Sequence, residues 1–217
     1  MPALPVFVDR PQTLREELAN AASHGVGFLL AAASLPVVLN LNQPLSRQHL
    51  LGACVFSVTM TLVYFASMVY HALPSGRIKR WFHRLDHAAI FLFIAGSYTP
   101  FALHGLNRGE GFSAFALVWS LAIVGGVVKA GGRLKHPLIS TLLYMALGWV
   151  AALAALPTLQ RLAEDGLWLI GAGGAAYMLG ALFFLVDHRV RYGHFVWHLF
   201  VLAGSACHFF AALAPLA

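Results

Sequence analysis

The length of the uninterrupted apolar runs is the feature that most constrains this chain. A helix needs roughly 20 apolar residues to cross a bilayer. Seven runs of about that size follow one another, at 22–40, 49–71, 85–104, 112–129, 137–156, 167–186 and 194–214. Inside hydrocarbon, backbone N–H and C=O groups must be satisfied within the segment itself. The expected fold is therefore all-α, a seven-transmembrane helix bundle. Hydrophobic residues make up 59% of the chain and charged ones 10%, with a mean hydropathy of +0.75, values that exclude a soluble domain of this size. Little sequence is left between the runs. A single seven-span membrane domain covering residues 1–217 is expected, with no repeat and no low-complexity linker.

The basic residues set an orientation. With the N-terminus cytoplasmic, the inside segments hold Arg10, Arg15, Arg77, Lys79, Arg80, Arg84, Lys129, Arg133, Lys135, Arg189 and Arg191. The outside loops then hold Arg47, Arg108 and Arg161. This bias recurs in every inside loop and predicts an N-terminus inside and a C-terminus outside. The net charge of +6 reads as topology and contact with anionic headgroups, so the expected partners are membrane lipids and not nucleic acid. The expected location is the cell's inner (plasma) membrane, with multiple passes; no protein partner is legible. Glu16 and Glu17 stand where a signal peptide needs positive charge, so the first span is expected to be retained. Cys54 and Cys207 lie inside spans, form no metal motif and are expected to be packing residues.

The polar residues inside these runs are not scattered. The first span opens with ELANAASH, the second ends in SMVYH, the third opens with Asp86 and His87, and the seventh opens with HFVWH. All four segments meet the membrane at one side, so Glu17, Asn20, His24, Ser67, His71, Asp86, His87, His194 and His198 share one level. His194 and His198 are four residues apart and occupy one helical face. Imidazoles at that spacing can grip one metal ion, and His71 from another helix completes a three-histidine set. Three protein ligands leave a tetrahedral Zn²⁺ one open position, as in catalytic sites. Asp86 and Ser67 are then placed to hold and deprotonate a water there. A cation also explains why a carboxylate stands at the edge of hydrocarbon.

Plainer roles exist for each residue. The histidines can be interhelical hydrogen-bonding groups, Asp86 a salt-bridge partner of Arg80 or Arg84, and Ser67 a hydroxyl bonded back to its own helix. Glu17, Asn20 and His24 share a face at i, i+3 and i+7, either supporting the metal ligands or marking the wet start of a helix. His87 points about 100° away from Asp86 and is expected to support the site or touch headgroups. His83, His136 and His188 fall in loops on the same side, His49 and His104 near the opposite interface, and His208 in an interhelical hydrogen bond. Gly171, Gly173, Gly174 and Gly180 read as close helix packing. Pro36 and Pro100 are expected to kink their spans, with Pro100 opening space above Asp86.

These motifs also resemble a family. Glu17-x2-Asn20-x3-His24, Ser67-x3-His71, Asp86-His87 followed by IAGSYTP, and His194-x3-His198 look like those of the hemolysin III branch of the progestin and adipoQ receptor family, over essentially the whole chain. The resemblance implies a seven-helix bundle with a zinc ion near the cytoplasmic face. A similar constellation in the alkaline ceramidases hydrolyses a lipid amide. By that likeness His71, His194 and His198 are ligands, and Asp86 and Ser67 bind the water. The expected function is metal-dependent hydrolysis of a lipid-like amide or ester. Two other readings remain open: a non-enzymatic zinc-stabilised sensor of membrane state, and a haem-binding electron carrier.

Overall fold

The computed structural model describes residues 11–41, 46–106 and 111–214. Arg10 and Arg108, two of the residues that enter the orientation argument, lie outside them. The described chain forms seven helices: α1 Leu14–Leu39, α2 Arg47–Ala72, α3 Arg77–Leu106, α4 Phe112–Ala130, α5 Pro137–Leu159, α6 Glu164–Val186 and α7 Gly193–Leu213. Five of the expected spans match these bounds within three residues. Two helices begin eight residues sooner than their apolar runs, because polar residues open them.

In α1 the reason is a reciprocal cap. Thr13 Oγ1 accepts the Glu16 N–H, and the Glu16 carboxylate accepts the Thr13 N–H in return. This satisfies exposed backbone donors at the helix start and carries Glu17 and Asn20 onto the helix. In α3 the basic segment from Arg77 to Arg84 is helical, so His83 lies on the helix and not in a loop.

Contacts along the helices show alternating directions. His71 of α2 meets His198 at the start of α7, while His49 at the other end of α2 meets the Ala212 carbonyl. Phe56 and Phe93 pair α2 with α3 in the same antiparallel sense. Thr99 with Trp119 then joins α3 to α4, and Tyr177 with His208 joins α6 to α7. The first residues of α1, α3 and α7 and the last of α2 therefore share one end of the bundle.

Among the described residues six helices are long and apolar enough to cross a membrane by length and composition; α3 is not counted among them. It packs against α2, α4, α5 and α7, and Phe91, Phe93, Ala95, Tyr98, Thr99, Phe101 and Ala102 are buried. A helix enclosed by others does not need a lipid-compatible face, so polar residues are admissible on it. Elsewhere the usual surface is inverted. Leu29, Leu30, Val124, Leu153, Leu182 and Phe210 are exposed, an apolar belt that water would not tolerate but lipid would. Buried hydroxyls are closed locally: Thr59, Thr99 and Ser205 bond carbonyls three or four residues back.

Close approaches decide two further points. A Cβ on Gly52 would lie 2.5 Å from Pro100 Cα. Pro100 thus sits at a tight α2–α3 crossing and does not open space there, correcting the expectation. In the glycine-rich stretch of α6, a Cβ on Gly173 would meet His208 and Cys207 and one on Gly180 would meet Phe200 and Trp197, whereas at Gly171 and Gly174 it would meet nothing within 4 Å among the described residues. Packing explains two of these four glycines. His208 does make the expected interhelical bond, to the Ile170 carbonyl at 3.2 Å. His49, near the opposite interface as expected from its place in the sequence, bonds the Ala212 carbonyl of α7.

Candidate metal centre

The start of α7 shows how the chain aims its two histidines. Tyr192 adopts a left-handed backbone (φ 59°), which a side chain of this size disfavours. Its N–H donates to Glu16 Oε1 on α1 at 3.0 Å, holding the turn in place. His194, two residues on, and His198, one helical turn beyond it, both project toward His71 of α2.

His71, His194 and His198 offer one ligand atom each, and these atoms lie within 4.8 Å of one another. His71 and His198 are buried, and the His194 side chain is 12% exposed. In each residue Nδ1 is already engaged. His71 Nδ1 meets Glu17 Oε2 at 2.7 Å, His194 Nδ1 meets Asp187 Oδ2 at 2.7 Å, and His198 Nδ1 meets Ser23 Oγ at 3.0 Å. A proton on Nδ1, held by a carboxylate, leaves the Nε2 lone pair for a metal. His71 Nε2 is buried and, among the described residues, has no hydrogen-bond partner. Such an atom is costly unless something binds it. A tetrahedral zinc would hold its nitrogens roughly 3.3 Å apart, so small rotations close the set. The three residues lie close enough together to hold a metal ion.

The remaining residues gather around this triad. Ser67 Oγ bonds His24 Nδ1 at 2.7 Å, and the His24 ring stacks on His198 with centroids 3.5 Å apart and planes 6° apart. His24 thus lies inside the centre, bridging Ser67 and a candidate ligand. Asp86 is buried, with its carboxylate toward the Ser67 hydroxyl and within electrostatic reach of His194. It lies 3.7 Å from His87 Nδ1, and among the described residues it makes no ion pair with Arg80 or Arg84. His87 is buried; its Nδ1–H donates to the His83 carbonyl at 2.9 Å, and its own carbonyl accepts from Tyr144. It therefore stands to one side of the triad. Glu17 spans two partners, His71 and Lys79, the latter at 2.9 Å. Asn20 donates to Gln12 at 2.5 Å and its carbonyl accepts the Ser23 hydroxyl, so it touches the centre through Ser23.

Ser23 and Asp187 escape the sequence reading. Ser23 lies three residues beyond Asn20 on the same α1 face, and that spacing was the available signal. Asp187 closes α6, and a short turn brings it back to His194. A carboxylate before a helix-starting histidine is a recognisable partner only once that turn is known.

A membrane protein of many apolar helices, with a buried histidine cluster suited to a metal at one end, is the class this geometry defines. A sequence profile described as "Haemolysin-III related" matches residues 12–209, and the chain belongs to that family, the branch its motifs resemble. It is 37% identical to Hemolysin-3 of Bacillus cereus over 93% of this chain and 92% of that one. It is 36% identical to the Hemolysin-3 homolog of Bacillus subtilis over 93% and 94%. At 26% identity, over 92% of this chain and 84% of the other, it is also similar to the human Monocyte to macrophage differentiation factor.

Proposed function

We propose that this protein is a zinc-dependent hydrolase of a lipid-like amide or ester. One observation carries the reading: three histidines converge with every Nδ1 already held, and Asp86 and Ser67 lie against the same cluster. His71, His194 and His198 would hold the ion, in an orientation set by Glu17, Asp187 and Ser23. Zinc at this place supplies Lewis acidity toward a carbonyl oxygen and acidifies water. Asp86 orients the attacking water, accepts its proton as the new C–O bond forms, and returns that proton to the leaving amine or alkoxide as the acyl bond breaks. Ser67 donates its hydroxyl to the oxygen on which negative charge develops, and His24 fixes that hydroxyl's direction. The touching His71, His194 and His198 rings, with centroids 4.7–5.1 Å apart, leave no gap for a macrocycle between axial ligands, which disfavours haem.

The test is release of fatty acid from a panel of acyl amides and esters by purified protein, before and after removal of metal with a chelator. Activity should disappear with the metal and return with added zinc. Undiminished activity in metal-free protein would sink the mechanism. A zinc-stabilised membrane-state sensor is the second reading, favoured because the centre ties α1, α2 and α7 together. It predicts metal binding with no product from any substrate.

The site's end of the bundle is read as cytoplasmic, in an inner-membrane bundle of seven spans that includes α3 and forms one domain. The basic residues near the ends of α2, α4 and α6 support this. A periplasmic reporter fused after Ala217 should be active and a cytoplasmic reporter silent. The reverse pattern would move the centre to the other side.

A further inference from the structure

A cavity of about 340 Å³ opens beside the histidines, walled by α1, α3, α4, α5 and the α6–α7 turn, with His194 in its lining. Lys129 of α4 also lines it, a buried ammonium that Asp86 attracts through space without pairing with it. Its Nζ donates to the Leu134 carbonyl at 2.9 Å and to Ser140 Oγ at 2.8 Å. An ammonium has three donors, so one remains. Among the described residues Lys129 makes no ion pair. The carboxylates in the cavity wall are engaged elsewhere, Glu17 by His71 and Lys79, and Asp187 by His194. Exposed Lys135 adds a second positive charge to the lining. A buried cation held by two neutral acceptors, with a donor to spare and a cavity before it, is a built receptor for an anion.

We propose that this cavity is a headgroup subsite, in which Lys129 receives a phosphate carried by a lipid. The acyl lipid acted on at the histidine centre would then be an anionic one. Its assignment as substrate rests on the hydrolase reading, whereas the anion subsite does not. Lys129 and His194 share the cavity wall, so a headgroup on Lys129 places its neighbouring acyl linkage toward the triad.

The experiment uses the full chain, zinc-loaded, in zwitterionic lipid nanodiscs. Three amphiphiles with one common acyl chain are titrated: a lysophosphatidic acid, a lysophosphatidylcholine and a monoacylglycerol. The phosphate monoester should bind about 10-fold or more tightly than the neutral lipid, the worth of one charge-assisted hydrogen bond. Lys129→Met should bring the two within about 2-fold, and Lys129→Arg should keep most of the preference. Arg191→Gln, which removes an exposed charge at the same end, should keep all of it. Equal binding of charged and neutral lipids by the native protein overturns the proposal and does so even where Lys129→Met fails to fold. A preference that survives in folded Lys129→Met, or that Arg191→Gln abolishes, also overturns it. Displacement of the lysophosphatidic acid by millimolar inorganic phosphate would make a soluble anion the occupant and overturn the headgroup assignment. A charge preference without hydrolysis of any lipid strikes only the hydrolase reading. Hydrolysis without a charge preference strikes only the subsite.

Discussion

Bound zinc should fall from about one ion per chain to near none when His194 or His198 is replaced by alanine, because two of three ligands cannot hold the ion against dialysis. His71→Ala should do the same, and it also strips Glu17 of a partner at 2.7 Å. The groups behind the ligands should show a graded response. Glu17→Gln and Asp187→Asn leave all three imidazoles in place but weaken the acceptor that fixes each Nδ1 proton, so metal affinity should drop by about 10- to 100-fold. Ser23→Ala removes a neutral partner of His198 at 3.0 Å and should cost less than either carboxylate. Elemental analysis of each purified variant after a common dialysis step is the measurement. Full zinc retention in both His194→Ala and His198→Ala would remove the metal centre from the account. Equal losses for the ligand and carboxylate variants would instead mean that the cluster collapses as a unit.

The contrast between the proposed ligands and their supports also marks what was legible in the sequence. His194 and His198 declare themselves, because a four-residue spacing is a property of one helix and needs no tertiary knowledge. His71 and Asp86 are found by depth, since spans that begin or end at the same face must bring their polar ends together. That argument needs only the count and direction of the apolar runs. Asp187 and Ser23 are different. Asp187 reaches His194 because Tyr192 takes a left-handed backbone and Glu16, from a helix 176 residues away in sequence, accepts its N–H. No local pattern encodes that. His24 was legible as a residue on the right face but not as a ring stacked on His198, which depends on the distance between α1 and α7. Helices α1 and α3 begin sooner than their apolar runs for a simpler reason. Apolar runs report where lipid is, while helices extend into the interface as far as caps and side-chain partners allow. Lys129 was counted with the loop charges, and its burial follows from Ser140 and the Leu134 carbonyl reaching it across the α4–α5 turn.

Asp86→Asn should retain zinc and lose turnover by about 10²- to 10⁴-fold, the usual contribution of a positioned acid or base. The substitution keeps the size of the side chain and a carbonyl oxygen, so contacts with Ser67 and with His87 at 3.7 Å can persist in outline. What it removes is the negative charge and the capacity to accept a proton from water. The three histidines are untouched, and their Nδ1 partners, Glu17, Asp187 and Ser23, lie on other helices or turns. Metal content therefore separates a chemical role from a structural one. A carboxylate that served only to balance the ion's charge would, on neutralisation, weaken zinc binding and activity together. A proton acceptor would leave binding nearly intact while the rate collapses. Ser67→Ala gives the companion measurement: losing a hydroxyl that stabilises developing charge should slow turnover by about 10²- to 10³-fold, again with zinc retained. Zinc content and fatty-acid release must be read from the same preparations, with thermal unfolding to confirm that the bundle survives. An Asp86→Asn protein that keeps its zinc and hydrolyses at the native rate would end the mechanism, whichever lipid proves to be the substrate.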